Sequence, residues 1–131
     1  MITIKQLTSD ELFELYIETL SSCDNNLIYK SDLEIEDSIF DIFFGGIISY
    51  FYKDSLERLK HDGLIDQEIE EKSLELRSLV IKLRETDYWD ITAFRNVIGG
   101  WKELVAACEA LKKLLQGRWS KEELEYWHGK K

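Results

Sequence analysis

Apolar residues recur every three or four positions along most of this chain, the spacing that places side chains on one face of an α-helix. The first such stripe comprises Leu12, Phe13, Tyr16, Ile17 and Leu20. It follows Thr8 and Ser9, either of which can cap a helix start, with Asp10 and Glu11 in the first turn. The pattern therefore predicts a first helix that ends near Ser21.

A second helix is predicted from Ser31, because Glu34 three residues later completes a capping-box pattern ahead of further apolar residues. The pair Gly45-Gly46 interrupts this pattern and is expected to end one helix and start the next, or to permit close helix approach. The segment Ile47 to Tyr52 is rich in β-branched and aromatic residues and could form a strand. Helix is favoured because no turn signal intervenes before Gly63, a typical left-handed C-terminal cap.

Two further long helices follow from the same reasoning. Asp66 is expected to cap the clearest helix of the chain, and a stripe led by Trp101 forms another that ends at Gly117. Asp90 or Thr92 caps a short helix, and Ser120 opens a final short one. With short connections, these elements predict an all-α fold, an antiparallel helical bundle of about five long and two short helices, as one domain over residues 1–131.

The composition of the chain supports the all-α class and indicates the cellular compartment. The chain contains no proline and only two cysteines, Cys23 and Cys108, without the spacing of a metal site or of a disulfide framework. No leader pattern stands at the N-terminus, and the longest apolar run is too short to span a bilayer. We therefore expect a cytoplasmic protein without a membrane partner.

Negative charge is concentrated near the N-terminus. The formal net charge is −9, and residues 1–63 carry thirteen acidic against five basic side chains. Between Thr8 and Asp41, ten acidic residues face the single base Lys30. Such a field repels nucleic acid and attracts basic partners, although it also serves simply as a solubilising face.

No arrangement for catalysis or for a cofactor emerges from the chain. Hydrolase, nucleotide-binding and zinc motifs are absent, and His61 and His128 stand at glycine-bearing helix ends where structural roles are common. Cys108 belongs to an apolar stripe and is expected to be a buried hydrophobe. We expect neither an enzyme nor a metal or cofactor site.

Three stretches together resemble a known family. They are DIFFGGIISYFYKDSLERLKHDGLIDQEIEEKSLELRSLVIKLRE, then YWDITAFRN, then GGWKELVAACEALKKLL. Over about residues 35–115 their layout resembles small bacterial immunity proteins of contact-dependent growth inhibition and related polymorphic toxin systems. The resemblance implies a cytoplasmic inhibitor that covers the active or substrate-entry surface of a cognate toxin domain, in many cases a basic nuclease. It carries over no binding residue, because each pair has its own interface.

The predicted contacts with such a toxin combine charge and aromatic anchors. The charged candidates are Asp32, Glu34, Glu36, Asp37 and Asp41, although acids in a first helical turn also serve as structural caps. The aromatic candidates are Trp119, Tyr126 and Trp127, although aromatic residues of a terminal helix commonly pack into the core. A helical adaptor or regulatory subunit unrelated to toxins is the alternative function.

Overall fold

Helices form all the regular structure of residues 7–119 and 122–123, the part of the chain that the computed structural model describes. The elements are α1 (Ser9–Ser21), a 3-10 helix (Asn25–Tyr29), α2 (Asp32–Ile35), a π-helical segment (Glu36–Phe43), α3 (Phe44–Tyr50), α4 (Lys53–His61), α5 (Gln67–Arg84), α6 (Ile91–Asn96) and α7 (Trp101–Arg118). The predicted all-α class is confirmed. Ser120, the predicted start of the last helix, lies outside the described residues.

Local capping chemistry sets several helix ends where the sequence predicts them. Thr8 and Glu11 form a complete capping box at α1, and the Asp66 side chain accepts from the Ile69 amide at 2.8 Å to start α5. Gly63 ends α4 in the left-handed region at φ 79°. The Leu64 amide then donates to the Leu59 carbonyl at 2.9 Å, which completes a Schellman motif.

The segments α2, π and α3 run on without a break as one composite helix over residues 32–50. Its fully buried apolar side chains, together with that of the residue after it, recur every four residues: Ile35, Ile39, Phe43, Ile47 and Phe51. In an α-helix with 3.6 residues per turn, each step of four advances about 40° around the axis, so these positions would spiral off the core. A π-helix has more residues per turn, so a step of four residues falls short of a full turn. The π-helical segment therefore offsets the advance of the α-helical parts and keeps the buried residues on one side of the helix.

The pair Gly45-Gly46 lies inside this composite helix, so the expectation that it ends one helix and starts another is wrong. The alternative, close approach, holds at Gly46, where an added Cβ would lie 1.9 Å from Oγ1 of Thr19 on α1. Glycine is thus required at this position, because the backbone of α3 packs directly against the Thr19 side chain of α1. The favoured helix for Ile47 to Tyr52 is confirmed through Tyr50, and Phe51 ends it.

The antiparallel pair α5 and α7 closes the core. Gly100, before α7, packs on Leu83 near the end of α5, while the Arg118 guanidinium at the other end of α7 donates to the Gly63 and Leu64 carbonyls. Tyr16 of α1 is fully buried, its ring stacks on that of Phe51 with 4.5 Å between the ring centres, and its hydroxyl hydrogen-bonds Ser73 Oγ of α5 at 2.8 Å.

Candidate protein-binding surface

The five acidic residues proposed as partner contacts lie on the composite helix, and all are exposed. We call them the acidic face: Asp32, Glu34, Glu36, Asp37 and Asp41. The four-residue repeat of buried apolar side chains helps to explain this display, because the acidic residues lie away from the line of the helix that faces the core, whereas Phe40 and Phe44 between them pack partly against it. The structure therefore brings the predicted charged contacts together on one element.

The start of the acidic face also has a structural role. Ser31 is the N-cap of α2, and its hydroxyl accepts from the Glu34 amide at 3.2 Å. Asp32 and Glu34 then stand in the first turn, where the helix dipole favours carboxylates. Capping accounts for acids in this turn but not for Asp41, more than two turns further along.

Asp32 is partly neutralised by the molecule itself. Arg95 of α6 contacts the Asp32 carboxylate at 2.7 Å and also donates to the carbonyls of Ile28 and Lys30 at 2.9 and 2.6 Å. One guanidinium thus ties the 3-10 helix and the start of α2 to α6. Because the Asp32 side chain remains 75% exposed, the ion pair itself contributes little to stability.

The other four carboxylates of the acidic face have no lysine or arginine within 4.0 Å among residues 7–119. These four carboxylates are exposed, and no basic side chain of residues 7–119 neutralises them. This distinguishes them from Glu70, a carboxylate on α5 that is buried and paired with Lys60 at 2.9 Å.

Exposed apolar residues adjoin the acidic face. Tyr29 is 81% exposed, Leu33 68% and Ile42 47%. Sequence reasoning missed these three, although Leu33 and Ile42 are visibly out of phase with the buried four-residue repeat. Large apolar side chains among the carboxylates provide surface that can be buried against a partner, which charged side chains alone do not provide.

Trp119 is the one predicted aromatic contact within the described residues. It is half-buried, its ring centre lies 5.6 Å from that of Phe13, and its Nε1 donates to the Leu64 carbonyl at 3.0 Å. Trp119 therefore packs onto the core end formed by α1 and α4. Tyr126 and Trp127 lie outside the described residues.

Few other side chains in the described part of the chain could act as a nucleophile, an acid or base, or a metal ligand. Cys108 is buried, as the sequence predicts, and its pKa is raised by burial and by its hydrogen bond with Cys23. Burial likewise raises the pKa of Tyr16, against the opposing effect of its bond to Ser73. Over residues 7–119 and 122–123, no three His, Cys, Asp or Glu side chains gather as metal ligands, and none of the helices has the length and apolar character to cross a bilayer.

Comparison with known proteins gives no relative: no family model, no curated protein and no solved structure matches this chain.

Proposed function

We propose that this chain is a bacterial immunity protein that binds a cognate toxin domain in the cytoplasm and covers its active or substrate-entry surface. The supporting observation is the set of four exposed carboxylates without basic neighbours in the described chain, displayed on one helix beside exposed apolar residues. A basic nuclease domain is the partner whose charge this surface complements best. The layout resemblance over residues 35–115 points the same way.

The acidic face would act chiefly on the rate of association. Complementary fields of this kind raise encounter rates roughly 10- to 1,000-fold at low salt, and the gain disappears as ions screen the charges. Fast capture is what neutralisation of a lethal enzyme demands. Apolar neighbours such as Leu33 then provide the area that holds the complex together.

The first test is whether the chain protects cells from the toxin domain encoded directly beside its own gene. Co-expression should restore growth, and the purified pair should form a stoichiometric complex. A neighbouring gene without a toxin domain, or growth arrest despite high expression of this chain, would refute the proposed function. Complex formation without protection would instead favour the helical adaptor or regulatory subunit.

The second test measures association rates by stopped flow across a salt series. The variant E34Q/E36Q/D37N/D41N should associate about tenfold more slowly than the wild type at low salt, and equally fast near about 1 M salt. The control E68Q/E71Q/E75Q/E85Q removes the same net charge from exposed positions on and just after α5. Equal slowing by both variants would show that net charge acts, and not the acidic face.

A further inference from the structure

A small apolar cleft opens beside the acidic face, between the 3-10 helix and helices α6 and α7. Its volume is about 240 Å³, and it is lined by Asn26, Ile28, Tyr29, Phe94, Val97 and Val105. Pockets for drug-sized ligands and cofactors run from about 300 to 1,000 Å³. This cleft is therefore the size for one side chain rather than for a metabolite.

The walls of the cleft are held firmly in place. Arg95 donates to the Ile28 carbonyl on one side, and Phe94 is buried in the core on the other. Val97 occupies the left-handed region at φ 52° and ψ 46°, which a β-branched residue rarely adopts. Backbone strain of this kind persists only where the surrounding structure fixes it, and it is found preferentially at ligand-binding positions.

The cleft and the acidic face form one continuous surface. Arg95 contacts both the carbonyl of Ile28, a lining residue, and the carboxylate of Asp32, the first residue of the acidic face. Tyr29, the most exposed large apolar residue described, stands at the cleft and only three positions before Asp32. A partner seated on the carboxylates would thus meet an apolar socket at their edge.

We infer that the cleft receives a single aromatic side chain from the same cationic protein partner, with lysine or arginine residues beside it that meet the acidic face. The inference rests on the proposed function and adds a division of labour to it. Charge sets how fast the partner arrives, whereas an aromatic anchor in a preformed socket sets how slowly it leaves. Anchors of this type dominate binding energy at protein interfaces.

The decisive experiment compares association and dissociation rates with the neighbouring toxin domain. Y29A removes one wall from a position too exposed to matter for folding, and it should raise the dissociation rate about tenfold or more with the association rate unchanged. The control is Y52A, since Tyr52 is a second exposed tyrosine, at 50%, that lies outside the cleft. The acidic-face variant should show the opposite pattern, with association slowed and dissociation nearly constant.

Outcomes separate the two proposals. If the wild type does not bind the toxin domain, both fail. If it binds and Y29A dissociates at the wild-type rate, the aromatic socket is refuted while the immunity function stands. If Y29A instead abolishes self-association of the free chain, the cleft serves a second copy and the inference is also wrong.

A partner-free measurement checks the socket itself. Titration with indole should produce saturable shifts in the methyl resonances of Val97 and Val105, and V105F, which fills the cleft, should abolish them at Val97. Circular dichroism establishes that V105F is folded before the comparison is made. No saturable shift in the wild type would overturn the assignment of an aromatic occupant.

Discussion

Alanine at the adjacent positions Gly45 and Gly46 should change the stability of this protein in opposite directions. Both glycines lie inside the composite helix, where replacement by alanine contributes about 1 kcal/mol through helix propensity. At Gly45, which is exposed, an added Cβ meets nothing within 4 Å. G45A should therefore raise the free energy of unfolding by about 1 kcal/mol.

At Gly46 the same methyl group meets the Thr19 side chain. The added Cβ would lie 1.9 Å from Oγ1, 2.5 Å from Cγ2 and 2.7 Å from Cβ of Thr19. Rotation of the threonine cannot relieve the contact with its Cβ, and its hydroxyl is bonded to the Leu15 carbonyl at 2.8 Å. Helices α1 and α3 must separate, and overpacking of this kind costs about 3 kcal/mol. After the propensity gain, G46A should lower the free energy of unfolding by about 2 kcal/mol.

Urea unfolding followed by circular dichroism measures both variants against the wild type. The expected gap between G45A and G46A is about 3 kcal/mol, well above the error of the method. The double variant T19G/G46A should recover part of the loss, since it removes the Thr19 side-chain atoms that the new methyl group meets. G46A as stable as G45A would refute the close approach of α1 and α3.

Two further predictions concern side chains that pack into the core. Stability should fall as the pH rises above about 9, where Cys108 ionises in the unfolded chain, and more steeply above about 10, where Tyr16 does, because burial raises the pKa of both groups in the folded protein. Each contributes a slope of about 1.4 kcal/mol per pH unit, so C108A and Y16F should each flatten the alkaline limb measured by urea unfolding between pH 8 and 11; an unchanged slope would contradict the assignment. W119A should lower the free energy of unfolding by about 2 kcal/mol, since the ring packs on Phe13 and bonds the Leu64 carbonyl; wild-type stability would show that Trp119 is not a core residue.

Features set by near neighbours in sequence were predictable. Thr8, Asp66 and Gly63 fix helix ends through bonds that span three to five residues, so the chain carries the whole signal. The π-helical segment was missed, although its signal, a strict four-residue apolar repeat from Ile35 to Phe51, is visible in the sequence.

Features made by distant residues were not predictable. The cleft depends on Arg95 reaching the Ile28 carbonyl across 67 positions, and no local pattern announces that contact. The acidic residues could be named from composition, but their exposure follows from how the composite helix packs, as does the lack of a basic neighbour for four of them within residues 7–119. Trp119 shows the limit most clearly, because an aromatic residue suits both a core and an interface, and its contacts with Phe13 and the Leu64 carbonyl are visible only in the structure.

The four-residue repeat has a consequence for how this surface can vary. Seven of the twelve residues from Asp32 to Phe43 are exposed, and substitutions at such positions usually change stability by no more than about 0.5 kcal/mol. The side chains that form the core and those that form the surface thus occupy separate positions of the same helix. Most of the exposed residues of this helix segment, including the charged ones, can therefore be substituted while the protein keeps the same fold.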